Sequence, residues 1–340
     1  PSSLSALRLC VSAGLFSFNP CALFSRPAHI VRFLPFAAPV RILMPDMITK
    51  LSRSPWRDPA VNLALEEGLL ERATPGGLRL HLYINEPSVV FGRNQNPWAE
   101  SSGVLPEFRR VSGGGAVVHG PGCLCWSFVG SRGRFDLPEA LDFVKSACAR
   151  LGVECAADER GALFADGRKL SGSARAFRGG AALVHGTLLV EADAAALESA
   201  LEPRAEPAWS KALPSKRARV GTLADLAPGL AMEDAVEAFR AEAAARFGAG
   251  AWEAPPEDPE LARRVARHRS REWVYDRTPP FAVRSGDLSF RVEEGLVAAI
   301  EAEPGKRIPP GAFAVLGRPF DPSRVAAPRG DAAPLSRRTA

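Results

Sequence analysis

Residues 163–193 read LFADGRKLSGSARAFRGGAALVHGTLLVEAD. An Asp-Gly pair between apolar-alternating runs is a strong hairpin signal, because both central turn residues must take positive φ. With Asp166-Gly167 as the turn, the stretch reads as strand, tight turn, strand, loop, strand. Upstream, LRLHLYI (78–84) and CLCWSFVG (123–130) alternate and read as further strands, and SVVFG (88–92) as a shorter one joined to the first by NEP. After it, RNQNPWAE (93–100) reads as a polar loop, followed by a helix-like stretch to Glu107.

Helices punctuate these strands. DPAVNLALEEGLLERA (58–73) opens with Asp58 as N-cap and Pro59 in the first turn, and its leucines fall at amphipathic helical spacing. DLPEALDFVKSACARLG (136–152) has the same start and a glycine stop, 194–202 reads as helical, and AMEDAVEAFRAEAAARFG (231–248) ends on Gly248. The order predicts an α+β fold with strands in meander order and helices on one side. SKALPSKRARVGTL (210–223) is basic and Pro-interrupted and reads as a surface loop. The organisation expected is an extension over 1–47, a catalytic domain over 48–250, a connector over 251–272 opening on a Pro- and charge-rich run, a small strand-rich accessory domain over 273–327 and a disordered tail over 328–340.

The chain has 340 residues, 46% of them apolar and 24% charged, which is the composition of a soluble globular protein and not of a fibre or a disordered chain. The formal charge of +5 is spread along the chain with no cationic block interleaved with aromatics. That favours acidic small molecules or an acidic protein partner over nucleic acid. The six cysteines (Cys10, Cys21, Cys123, Cys125, Cys148, Cys155) form no CxxC pair, so reduced thiols in an intracellular compartment are expected rather than structural zinc or disulfides. Residues 1–45 hold no Asp or Glu and carry Arg8, Arg26, Arg32 and Arg41. This stretch reads either as an organelle transit peptide, placing the protein in the mitochondrial matrix, or as sequence ahead of a start at Met44 or Met47, leaving it cytoplasmic. No apolar run reaches the roughly 20 residues of a membrane span, so no membrane partner is expected.

Two stretches carry chemistry. In RRVSGGGAVVH (109–119), Gly113, Gly114 and Gly115 let the backbone approach a ligand and turn N–H groups toward an anion, with Arg110 and Ser112 as side-chain donors. In GRKLSGSA (167–174), Lys169 precedes Ser171, Gly172 and Ser173; a lone lysine is ordinarily a solvated charge, but over such a segment it can hold a phosphate or stabilise charge during acyl or nucleotidyl transfer. His119 and His185, the latter followed by Gly186 and Thr187, fit either ligand contact or a satisfied core role. No GxSxG elbow, Walker A lysine motif or GxGxxG is present.

GRNQNPWAE (92–100), RRVSGGGAVVH (109–119), GRKLSGSA (167–174) and HGTLL (185–189) together resemble the lipoate-protein ligase A and lipoyltransferase family, within the biotin/lipoyl ligase superfamily. DPAVNLALEE (58–67) and REWVYDRTPPF (271–281) look like that family's first helix and the entry to its C-terminal accessory domain, and the resemblance spans about residues 48–322. It implies an α+β fold related to class II aminoacyl-tRNA synthetases, a mixed sheet with flanking helices and a small α+β accessory domain. It also implies that lipoate, ATP and Mg²⁺ yield lipoyl-AMP, whose acyl group passes to a lysine of a lipoyl-domain acceptor, an E2 subunit of a 2-oxo-acid dehydrogenase or the glycine-cleavage H protein. By the same resemblance Arg110 lies near the nucleotide and acyl pocket, Gly115, Ala116, Val117 and Val118 wrap the adenylate, and Lys169 contacts the lipoyl carbonyl and phosphate. Val117 and Val118 are expected to line the slot for the C8 chain.

Three features depart from that pattern. Gly161-Ala162 stands where the family has Asn-Asp, removing an expected carboxylate from the nucleotide and metal end. Cys123 stands where an Asn is frequent, and Gly120-Pro121-Gly122 after the histidine looks like the octanoyltransferases of the superfamily. Alternatives are therefore an octanoyl or lipoyl transferase working through a Cys155 thioester, and a non-catalytic lipoyl-domain binder.

Overall fold

The computed structural model describes residues 48–325; the expected extension over 1–47 and tail over 328–340 lie outside them. In chain order the first elements are β1 (Ile48–Arg53), α1 (Pro59–Glu71), β2 (Gly77–Tyr83), β3 (Ser88–Phe91), α2 (Pro97–Glu100), β4 (Glu107–Arg109), β5 (Val117–His119), β6 (Cys123–Ser131) and α3 (Leu137–Arg150). Next come β7 (Ala156–Ala157), β8 (Leu163–Ala165), β9 (Arg168–Arg178), β10 (Ala181–Leu189), α4 (Ala194–Ala200), β11 (Pro207–Ser210), α5 (Leu223–Leu226) and α6 (Met232–Phe247). The C-terminal part holds β12 (Trp252–Glu253), α7 (Leu261–Arg269), a π-helical turn (Glu272–Asp276), β13 (Phe281–Ser285), β14 (Leu288–Glu293), β15 (Leu296–Ala302), a 3-10 turn (Pro310–Val315) and α8 (Pro322–Val325).

The main sheet is mixed, with eight strands in the order β12-β1-β2-β6-β10-β9-β8-β7. β1 is parallel to both its neighbours, and the remaining pairs are antiparallel. The strand reading of 163–193 holds, and its turn residues Asp166 and Gly167 have φ of 48° and 68°, as a primed hairpin turn requires. Meander order holds only for β7 to β10, because β6 inserts between β2 and β10. SVVF does not join its predecessor; β3 instead centres a separate sheet, β4-β3-β5.

Helices cover both faces, not one. Leu80, Leu82, Leu124, Trp126, Phe128, Val184 and Leu188 pack with Phe143 and Val144 of α3 and Phe239 of α6. The alternate positions face α1, where Val129 and Leu183 meet Leu69 and Leu70. Phe143 sits 5.0 Å from Phe128 and 5.6 Å from Phe239 between ring centroids; truncating so buried an aromatic costs about 3–5 kcal/mol. α1 is not amphipathic as its leucines suggested. It is buried all round, Glu66 and Glu67 included, at 1% and 3% exposure, because α7 lies on its other side.

Residues 251–272, read as a connector, are folded onto this frame. β12 extends the main sheet, and α7 docks on α1 through Arg264 to Glu71, Arg267 to Glu67, and His268 to Glu67 (3.2 Å), while Arg264 also pairs with Asp258 (2.7 Å) just ahead of α7. Arg109 ties the segment beyond α7 to the polar loop: its guanidinium donates to the carbonyls of Val274, Gly92, Arg93 and Gln95. The small sheet, β11-β13-β14-β15, borrows β11 from ahead of α6, and its core closes on Trp98.

Candidate active site

Lys169 is the second residue of β9. The pairing of Leu163 with Ser171 is followed by that of Phe164 with Lys169, so Leu170 is the extra residue of a β-bulge. Strict alternation from Gly172 would have turned Leu170 to the α1 face and Lys169 into the core. The bulge buries Leu170 completely and stands Lys169 over Gly172, where an added Cβ would lie 3.3 Å from Nζ. The ammonium is half-buried and has no hydrogen-bond or ion-pair partner among the described residues. Burial lowers its pKa, Asp158 works against that, and the charge of Arg110 adds to the lowering.

A carboxylate borders this site although Gly161-Ala162 offers none, that of Asp158. A tight turn closes over 158–162: Asp158 N donates to Ala162 O (2.9 Å), and Asp158 Oδ1 accepts from Arg160 N (3.0 Å) and Ala162 N (2.8 Å). Asp158 and Lys169 line the same cavity, of about 490 Å³. Ser173 gives its hydroxyl to Gly161 O (2.7 Å), and Ser171 pairs with Leu163 and Leu188 and shares their core face.

Opposite Lys169 runs the glycine loop. Arg110, 6% exposed, donates to Gly113 O (2.6 Å), Gly115 O (2.8 Å), Val90 O (3.0 Å) and Ser112 Oγ (3.0 Å). Four of its five N–H groups are thus engaged in shaping the loop, so it is chiefly the loop's strut and not the free anion fork its sequence position suggested. Burial lowers its pKa to about 10, against the opposing charge of Glu66. Gly92 lets the loop pass: a Cβ there would collide with Gly114 O.

Behind the loop lies a buried relay. Ser112 Oγ is 2.6 Å from His185 Nε2, and His185 Nδ1 is 2.9 Å from Glu66 Oε2. Burial raises the Glu66 pKa, but His185, the Ser127 hydroxyl and His81 outweigh it and hold the carboxyl at about 2. Glu66 is therefore an ionised acceptor, and His185 donates to it from Nδ1. His119 is held differently: Asn85 donates to its Nδ1 (2.8 Å), and Asn85 in turn accepts from Asn62 (2.7 Å). Burial, with help from Arg110, pushes His119 down to about 3, so it is neutral with its proton on Nε2. Both histidines are satisfied core residues, and both also line the cavity.

The cavity has a slot reaching Leu63, Tyr83, His119 and His185. A second lobe of about 580 Å³ shares Lys169, Gly172, Thr187, Ala116 and Val117 with it and runs to Leu189, Leu197, Leu201 and Val220. Val117 borders both lobes, whereas Val118, buried with Val89 and Phe91, borders only the second. Gly186 sits on the cavity wall where a Cβ would meet Gly172 O and Trp126 at 2.5 Å. Residues 213–220 of the basic stretch 210–223 wall the site, so it is not a plain surface loop. Ser215 Oγ accepts from Ala116 N (2.8 Å) and Gln95 Nε2 (2.9 Å), and Ser215 N donates to Glu100 (2.9 Å).

Sequence reasoning missed Glu66, Asp158 and Ser215. Glu66 was detectable, because it stands three residues after Leu63 and three before Leu69, on the apolar stripe of α1. Asp158 and Ser215 had no local signal, since each acts through a loop closing over β9 or the glycine loop. Cys155 is not a lining residue of either lobe; it packs beside Cys148 against the main core, its Sγ 3.9 Å from Val153 O. A further hollow of about 740 Å³ beyond α1 is bordered by Arg178 and Arg263, each already paired with a glutamate.

Residues 58–244 match the family model described as lipoyl protein ligase A/B catalytic domain. Among solved structures, P. falciparum LipL1 in complex with lipoate superposes with a TM-score of 0.58 at 19% identity, over 75% of this chain and 84% of that one. A lipoate-protein ligase A bound with ATP gives 0.55 at 22% identity, over 67% and 98%. The bi-partite lipoate protein ligase from Thermoplasma acidophilum, studied with its E2 lipoyl domain, gives 0.56 at 21% identity, over 67% and 96%. At these identities the likeness is one of fold.

Proposed function

The chain belongs to the lipoyl protein ligase A/B catalytic domain family, and on that premise we propose that it activates lipoate with ATP to lipoyl-AMP and passes the lipoyl group to a lysine of a lipoyl-domain protein. The observation that carries this reading is Lys169: an ammonium with no partner among the described residues, at the junction of two lobes and facing a glycine loop.

In the first step a lipoate carboxylate oxygen attacks the α-phosphorus of ATP and pyrophosphate leaves. The acyl chain lies in the slot ending at Leu63, Tyr83, His119 and His185, and the adenine lies in the lobe walled by Leu189, Leu197 and Val220. Lys169 then stands at the mixed anhydride, where its charge offsets that developing on the phosphoryl and carbonyl oxygens. In the second step the acceptor amine attacks the acyl carbonyl and AMP departs, and the same ammonium stabilises the oxyanion. Structures of similar fold with lipoate or ATP bound support both substrates.

Mg²⁺ carried on ATP phosphates needs only one or two protein carboxylates. Among the described residues no three ligating side chains gather at one place, and Asp158 is the carboxylate beside Lys169, so the residues fit a phosphate-borne ion held by Asp158. The ion would neutralise phosphate charge as pyrophosphate leaves. The placement of Cys155 outside both lobes weighs against the thioester route, and a formed cavity with an unpartnered lysine weighs against a binder without chemistry.

The test is incubation with ATP, Mg²⁺ and lipoate. Lipoyl-AMP should form, an apo E2 lipoyl domain should then be lipoylated, and Cys155→Ser should do both as well as the parent. Failure to form lipoyl-AMP, with transfer from supplied lipoyl-AMP intact, would reduce the protein to a transferase.

A further inference from the structure

Among the cations of this surface, those from Trp209 to Arg219 are set apart. Lys211, Lys216, Arg217 and Arg219 fall in a stretch without one carboxylate, and none has an ion-pair partner among the described residues. On α7, by contrast, Arg263, Arg264, Arg267, His268 and Arg269 all pair with carboxylates. The same strip exposes Trp209 at 48% and Leu213 at 58%, with Lys211 Nζ 5.8 Å from the Trp209 ring centre. It is also fixed in place: Lys211 N donates to Pro280 O (3.0 Å), Leu213 N to Asn94 O (3.0 Å) and Ser215 N to Glu100.

Its position decides its use. Leu213, Ser215, Lys216 and Arg217 line the cavity that holds Lys169, whereas Trp209 and Lys211 do not. A ligand confined to the cavity touches only the inner end, so an unpaired cation beside an exposed tryptophan at the outer end has no task toward a small molecule. A macromolecule whose side chain enters the cavity must lie along the whole strip. Aromatic anchors among cations are the composition of a protein-binding patch. Glu198 and Glu202 border the second lobe together with Lys216, Arg217 and Arg219, so the carboxylates near the strip lie at its inner end, away from Trp209 and Lys211, which line neither lobe.

We propose that the strip from Trp209 to Arg219 docks the acceptor, an acidic protein domain whose carboxylates flank the lysine to be acylated. The inference rests on the acyl-transfer reading, and it adds the surface and the charge of the partner. Trp209 and Leu213 bury against the acceptor while the four cations steer and orient it.

The experiment uses the full chain and an apo lipoyl domain of a 2-oxo-acid dehydrogenase E2 subunit, comparing the parent with Trp209→Ala, Lys211→Glu and the double variant. Lipoyl-AMP formation should be unchanged in all, which also shows that they fold. The KM for the lipoyl domain should rise at least about tenfold in the double variant. In the parent it should climb as salt is raised from about 50 to 500 mM, and in the double variant that dependence should flatten. An acceptor KM and salt slope unaffected by the substitutions, with lipoyl-AMP formed normally, would overturn the proposal, as would variants that lose binding of a single-stranded RNA while retaining the acceptor. Should the parent neither make lipoyl-AMP nor transfer from supplied lipoyl-AMP, the acyl-transfer reading fails, and direct binding of the lipoyl domain to parent and variants still decides the strip.

Discussion

Glu66 of α1 and His185 of β10 lie 2.9 Å apart with 1% and 5% of their surfaces exposed, and through Ser112 they reach the guanidinium that shapes the glycine loop. A buried carboxylate and a buried arginine are thus balanced across one imidazole and one hydroxyl. The carboxyl titrates at about 2 instead of the usual 4.5. A depressed carboxylate adds stability that is present above its unfolded pKa and lost as pH falls through its folded one. The window here is pH 4.5 to about 2, and the amount is on the order of 3 kcal/mol. Urea unfolding at pH 7, 4.5 and 3 should show that loss in the parent. Glu66→Gln should lack it and be weaker at pH 7 by about 3–5 kcal/mol, because Arg110 is left without its counter-charge. A parent-like acid profile in that variant would contradict the relay.

The three consecutive glycines are not equivalent. Gly113 has open space around its Cβ position, whereas Gly114 has φ +88° with the Arg110 guanidinium 2.9 Å from an added Cβ. Gly113→Ala should change stability by less than about 0.5 kcal/mol and leave adenylate formation alone. Gly114→Ala forces a left-handed alanine, costing about 1–2 kcal/mol, and should raise the KM for ATP. Parallel kinetics of the two variants check this, and equal effects would mean that the loop is not held as described.

Local signals made the strands, the helix starts and the hairpin turn legible in the sequence, because caps, alternation and Asp-Gly act over a few residues. The glycine loop and Lys169 were legible for the same reason. Their relation was not, since it depends on a bulge at Leu170 that alternation would have forbidden. The full burial of α1 was hidden because its carboxylates find partners far along the chain, Glu66 at His185 of β10 and Glu67 and Glu71 on α7. That Asp158 borders the cavity beside Lys169 was not legible either, because it arrives by a turn that sequence spacing does not reveal.

Asp158 should separate the two half-reactions. Asp158→Asn keeps an oxygen that can accept from Arg160 N and Ala162 N, so the turn survives, but it removes the charge beside Lys169. Lipoyl-AMP formation should fall by about 10²-fold and depend more steeply on Mg²⁺, while transfer from supplied lipoyl-AMP stays within a few-fold. Equal loss in both steps would assign Asp158 to the shape of the cavity instead of to the nucleotide.

Lys169 carries the strongest prediction because its effects on stability and activity should run in opposite directions. Its ammonium is half-buried without a partner, so the charged form is disfavoured in the folded chain and its pKa is lowered. A lysine with a lowered pKa costs stability at neutral pH, and that cost is relieved as pH rises through the folded pKa toward 10.5. Lys169→Met keeps the stem and removes the charge. It should unfold at the same or a higher urea concentration than the parent at pH 7, with the difference shrinking at alkaline pH. Adenylation and transfer should both drop by about 10²–10³-fold, as when one stabilising donor is removed from a charged transition state. A non-hydrolysable lipoyl-AMP analogue should stabilise the parent against heat more than it stabilises Lys169→Met. A variant that is less stable yet fully active would return Lys169 to the role of an ordinary surface charge.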